Sequence, residues 1–138
     1  VIKTPAFFTN IDIMQNININ IAGPVTRAYS DFVAALMKKM PTKTEDLLHA
    51  AVGISGEAGE LLDAVKKHWA YGKELDMDNV REELGDIMFY VTAMLNVLEI
   101  DEEEVVWANV EKLEARYPGI IYTDTAAIAR ADKSKEVV

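Results

Sequence analysis

The chain has 138 residues, half of them hydrophobic and 27% charged, with no cysteine and a formal net charge of −9. That length suits one domain with one core, and the lack of cysteine removes disulfides and thiolate metal sites and fits a cytoplasmic protein. The acidic balance forfeits the phosphate attraction that drives binding to a nucleic acid polymer, and no run of about 18 apolar residues is present to cross a membrane.

Residues 1–24, apolar and Asn-rich ("FFTNIDIMQNININIAG") without the basic start of a signal peptide, read as an N-terminal extension. Residues 25–138 read as a single helical domain with a polar tail from about 119. Val25, Tyr29, Phe32, Leu36 and Met40 recur at spacings of three and four, which predicts a first helix over 25–40, closed by Pro41. Thr44 is the expected N-cap of the second helix, with Glu45 and Asp46 in its first turn. That helix runs to about Ala70 and stops at Tyr71-Gly72. Asp76 or Asp78 caps a third helix that continues to about Leu98. Asp101 opens a fourth, with Glu104 three residues on as in a capping box, and Pro118-Gly119 closes it. A short helix near 124–131 follows. Only "NININIA" alternates with period two. The expectation is an all-α fold with a four-helix-bundle-like core, its short connections making neighbouring helices antiparallel.

The second helix contains "VGISGEAGELLDAVKKHWAYGK". Gly53, Gly56 and Gly59 are three apart, although each glycine in a helix costs roughly 1 kcal/mol relative to alanine. At 100° per residue, Leu47, Ala51, Ile54, Ala58, Leu61 and Val65 form the expected core stripe. Glu57 and Glu60 lie on its flank among Ala50, Gly53 and Ala64, a bare strip that a backbone or a ligand can approach closely. Leu48, Val52 and Leu62 form a second apolar set. The third helix repeats the carboxylate spacing in "EELGDIMFYV", where Glu83 falls inside the stripe of Ile87, Tyr90, Met94 and Val97, and Asp86 shares its face. A carboxylate on a core face is costly unless it is paired, hydrogen-bonded or metal-bound.

Most helical acids form a solvated face, and Glu45, Asp63, Glu82 and the run 101–104 stay under that reading. Two matched pairs on adjacent helices, both at the apolar border, do not. They offer hard oxygen ligands for Mg²⁺ or Mn²⁺. Di-iron bundles use Glu-x-x-His, and neither His49 nor His68 stands three residues after a glutamate.

"GISGEAGELLDAVKKHWAYGK", "NVREELGDIMFYV" and "NVEKLEARYPG" resemble the MazG-like all-α nucleoside triphosphate pyrophosphohydrolases over about residues 44–131. The resemblance implies that Glu57, Glu60, Glu83 and Asp86 bind Mg²⁺. It also implies cleavage between the α and β phosphates, to a nucleoside monophosphate and pyrophosphate, and assembly into homodimers or homotetramers with sites near subunit contacts. Glu57 or Glu60 would orient or deprotonate the attacking water. Lys67, Lys73 and Arg116 are candidates for the phosphate tail, against the plainer reading of solvated lysines and a structural arginine. Tyr90 is a candidate substrate contact one turn beyond Asp86; Trp69 and Phe32 are candidates to stack on a base. Asn96 is a candidate support. The expected role is house-cleaning or pool adjustment of NTPs and dNTPs. The alternatives are a phosphoribosyl-ATP pyrophosphatase and a non-catalytic helical metal-binding or interaction module.

Overall fold

The computed structural model describes residues 27–133, and the side chains of Arg27 and Ala28 are outside that description. The N-terminal extension expected over residues 1–24, with its "NININIA" alternation, lies outside the described residues. The fold is all-α, with five α-helices among the described residues: α1 (Arg27–Leu36), α2 (Lys43–Tyr71), α3 (Met77–Leu98), α4 (Glu102–Arg116) and α5 (Asp124–Ala129). They fall into two compact units that divide after Glu102. None of these helices is long and apolar enough to cross a membrane.

In the first unit, α1 ends at Leu36, a turn before the expected limit at Met40. A residue preceding proline is pushed out of the helical region, so the chain leaves the helix ahead of Pro41. Thr42, rather than Thr44, is the N-cap of α2. Its hydroxyl accepts from the Glu45 backbone N–H (3.2 Å) and donates to the Glu45 carboxylate (2.7 Å), which ties cap and first turn together. Gly72 ends α2 with φ 63°, a conformation that glycine adopts without penalty. Nδ1 of His68 donates to the Lys73 carbonyl just beyond (2.6 Å). Asp76 caps α3 by accepting from Asn79 N–H at 3.1 Å.

The helix pair α2–α3 is antiparallel. Ala50 and Ala93 share one core cluster with Val33 of α1, Gly53 meets Tyr90, and Glu57 lies in the field of Asp86. Positions rise along one helix as they fall along the other. The expected core stripe of α2 is rotated in the structure. Ala51 and Ala58 are exposed and Val65 is 44% exposed, whereas Ala50 and Ala64 on the small-residue flank are buried. Small side chains let α3 come close, and close approach wins over the bulkier face. Tyr29, Met37, Phe89 and Met94 pack around the cluster. Asn96 joins α1 to α3: its Oδ1 accepts from the Ser30 hydroxyl, and its Nδ2 donates to the Ser30 carbonyl at 3.0 Å.

In the second unit, Arg116 at the end of α4 holds Asp132 through two parallel hydrogen bonds of 2.7 Å. The Asp132 side chain is 2% exposed. The Arg116 guanidinium beside it lowers its pKa to about 2, below the ordinary 3.8. A depressed carboxylate pKa stabilises the fold above the unfolded value and loses that contribution as pH falls through the folded one. Asp132→Asn should therefore be less stable than the wild-type chain at neutral pH, and the gap should close between pH 3.8 and about 2. Fluorescence of Trp107, on α4, read during acid titration of both chains is the check; a gap that persists at the acid end would contradict the assignment.

Candidate metal centre

The antiparallel register places one Glu-x-x-acid pair against the other. Glu57, Glu60 and Glu83 each offer a carboxylate oxygen, and these oxygens all lie within 4.8 Å of one another. Glu83 is only 5% exposed. Nδ2 of Asn79, one turn earlier on α3, donates to its Oε1 at 2.8 Å and fixes its orientation. Glu57 is half-buried, and Glu60 and Asp86 are exposed. Burial raises the Glu57 pKa first, and the charges of Asp86, Glu60 and Glu83, with a hydrogen bond to Glu83, raise it further. Asp86 thus belongs electrostatically to the same group.

Three carboxylates with oxygens within 4.8 Å, and Asp86 acting on the same charge, repel one another, and a hard cation would turn that repulsion into binding. With no imidazole or thiolate among them, the oxygens suit Mg²⁺, Mn²⁺ or Ca²⁺ rather than softer metals.

The glycines divide. A β-carbon at Gly53 would overlap three atoms of the Tyr90 ring, so that glycine is there for close approach. Gly56 and Gly59 have open space around them, and nothing among the described residues explains them by contact. Tyr90 lies one turn beyond Asp86 on α3, with the His49 ring 6.1 Å away and the Phe89 ring edge-on at 5.4 Å. Nδ1 of His49 is buried without a hydrogen-bond partner.

The remaining candidates are dispersed. Lys67 is two turns beyond Glu60 on the same face of α2, where it forms an exposed ion pair with Asp63 (2.7 Å). Lys73 is exposed in the α2–α3 connection. Trp69 is 83% exposed, on a face of α2 turned away from Glu57. Phe32 is 56% exposed on α1 and stacked on Tyr29. Asn96 is committed to Ser30, and Arg116 to Asp132. Sequence reasoning missed Asn79. Its signal was available, an amide four residues before a carboxylate that needed a partner.

A cavity of about 740 Å³ is lined by Ser30, Thr92, Asn96, Glu99, Asp101 and Glu102, among others. By helical rotation Thr92, Asn96 and Glu99 are on the opposite face of α3 from Glu83 and Asp86, so the cavity is separate from the acid cluster.

The family model for the MazG nucleotide pyrophosphohydrolase domain matches residues 45–121, a span that contains all four acids. "Gene 37 protein" of Mycobacterium phage L5 is 34% identical over 76 residues, an alignment covering 52% of this chain and 67% of that protein. No solved structure matches the chain.

Proposed function

Because the chain belongs to the MazG nucleotide pyrophosphohydrolase domain family, we propose that it is a Mg²⁺-dependent enzyme that hydrolyses nucleoside or deoxynucleoside triphosphates to the monophosphate and pyrophosphate. The observation that carries the reading is the set of Glu57, Glu60 and Glu83 oxygens within 4.8 Å, brought together from two helices. Glu57, Glu60, Glu83 and Asp86 would hold the metal. Bound there, Mg²⁺ would offset the charge of the triphosphate and of the acids together, and polarise the phosphoryl oxygens. Mn²⁺ has the same ligand preference.

The chain's own residues supply the rest. Asn79 keeps Glu83 turned into the cluster. Glu57 or Glu60 would orient the attacking water and take its proton. The water oxygen bonds to the α-phosphorus, the bond to the bridging oxygen breaks, and pyrophosphate leaves. Lys67, on the Glu60 face, is the candidate for the phosphate tail once substrate draws it away from Asp63, and Lys73 is a second candidate. Tyr90 meets the nucleoside side. We assign Phe32 and Trp69 to base contact only if substrate or a partner copy covers them, since both are largely exposed. The role is control of a nucleotide pool, in the cytoplasm, by a homodimer or homotetramer.

The test is a panel of canonical and modified NTPs and dNTPs, with phosphoribosyl-ATP as a separate arm, each with Mg²⁺ and scored for monophosphate and pyrophosphate. Turnover of nucleoside triphosphates is expected. Activity confined to phosphoribosyl-ATP would move the assignment to histidine synthesis. No turnover of any nucleotide would leave a metal-binding module.

A further inference from the structure

We propose that Gly53 is a positioning residue: it seats the Tyr90 ring on the α2 backbone and thereby sets the sugar-side wall of the nucleotide site, an inference that rests on the pyrophosphohydrolase reading. Gly53 is one turn before Glu57 on α2, and Tyr90 is one turn after Asp86 on α3. The pair is the next rung of the antiparallel ladder that assembles the acids. A β-carbon at Gly53 would overlap Cγ, Cδ1 and Cε1 of Tyr90, and no other atom is nearer to it. The ring therefore lies directly against helical backbone, which cannot yield as a side chain can.

The other neighbours of the ring define its seat. Phe89 meets it edge-on at 5.4 Å, and His49 stands 6.1 Å away at a tilt of 59°. One helical turn, about 5.4 Å along the axis, separates this seat from the carboxylates. A nucleotide whose α-phosphate is held at the acids extends its sugar over a comparable distance. With the phosphate tail assigned toward Lys67, on the other side of the acids, the seat is at the level of the sugar, and a displaced ring would intrude there. Gly53 has an ordinary helical conformation, since positive φ among the described glycines is confined to Gly72 and Gly119. Its helix cost is therefore not explained by backbone geometry, and the ring contact is the feature that requires it. Gly56 and Gly59 on the same helix touch nothing comparable.

Gly53→Ala tests this. Displacing the ring should raise KM about tenfold while kcat changes by less than about threefold, the pattern of lost ground-state fit rather than lost chemistry. The rise in Tm on adding Mg²⁺ should survive, because the four acids are untouched. In a Tyr90→Ala background the same substitution should change KM by less than about twofold, since the atoms it would strike are gone. An unchanged KM in the single variant, or an equal effect in both backgrounds, overturns the proposal. Should Gly53→Ala alone fail to fold, the double variant should be no less stable than Tyr90→Ala alone, and a further loss of stability would overturn the contact.

A readout without substrate separates this proposal from the reaction itself. In the full chain carrying fluorotyrosine, the Tyr90 ¹⁹F signal is the one lost in Tyr90→Phe, and Gly53→Ala should shift it. An unshifted signal overturns the seat. A shifted signal in a chain that turns over no nucleotide overturns the assigned reaction and the sugar-side role with it, and upholds the seat alone.

Discussion

Glu60→Gln and Asp86→Asn should each abolish most Mg²⁺-dependent cleavage while leaving the helices folded. Both side chains are exposed, so the amide changes little packing. What it removes is the negative charge proposed to hold the cation. Loss of a residue that only orients a metal ligand commonly costs about 10–100-fold; that is the effect expected of Asn79→Ala, which frees Glu83, and the ligand variants should fall further. The apo protein should respond in the opposite sense. Glu57 has a raised proton affinity because buried and like-charged surroundings disfavour its anion. Such a group contributes its stability below the ordinary carboxylate value and loses it as pH rises through the raised one. Near neutrality the wild-type apo chain therefore carries repulsion that either substitution relieves, and the variants should melt no lower than it does. Wild type should then gain about 2.7 kcal/mol when Mg²⁺ reaches a hundred times its dissociation constant, and the variants should gain little. If these acids were plain surface residues, stability would change by no more than about 0.5 kcal/mol and turnover would be unaffected. Tm with and without Mg²⁺, together with pyrophosphate release, distinguishes the two accounts. Full turnover by either variant would remove these residues from the reaction, and inorganic phosphate as the first product would place the cut at another bond.

The second large effect concerns assembly. Wild type should scatter light as a dimer or tetramer at micromolar concentration, and Leu62→Glu or Val52→Glu should convert it to monomer. Leu48, Val52 and Leu62 are 61%, 61% and 66% exposed on the face of α2 opposite the acid cluster. The structure adds a second stripe that the sequence reading did not single out: Met77, Leu84, Met88, Val91 and Leu98 on α3 are 38–47% exposed. Exposed apolar stripes such as these are candidate partner faces. In a two-fold interface each substitution acts twice. At about 1.5–3 kcal/mol per buried leucine-sized side chain, one glutamate should weaken the dimer by about 3–6 kcal/mol, or roughly 10²–10⁴-fold. A monomeric wild-type chain at micromolar concentration would contradict the proposed assembly.

Much of the site was legible in the sequence because helical periodicity is local. The paired spacing of Glu57/Glu60 and Glu83/Asp86, the stop at Gly72 and a cap at Asp76 or Asp78 follow from 3.6 residues per turn and from the hydrogen-bonding needs of helix ends. Glu83 inside an apolar stripe already announced a carboxylate in need of a partner, and it is 5% exposed in the structure. Boundaries were less legible. Thr42 and Thr44 are both acceptable caps, and the Thr42–Glu45 hydrogen bonds distinguish them only in three dimensions.

Tertiary structure decided which face of α2 is inside. That helix carries several stripes that could be buried, and periodicity ranks them by hydrophobicity alone. The packed answer is the line of Ala50, Gly53, Glu57 and Ala64, because small side chains let α3 approach and Tyr90 lie on bare backbone. The same approach brings three carboxylates within 4.8 Å. Other contacts were likewise beyond local pattern: Asn96 turns to Ser30 across 66 residues, and Arg116 to Asp132 across 16. Spacing along a helix fixes which residues share a face, whereas the partner a face meets depends on atoms distant in the chain.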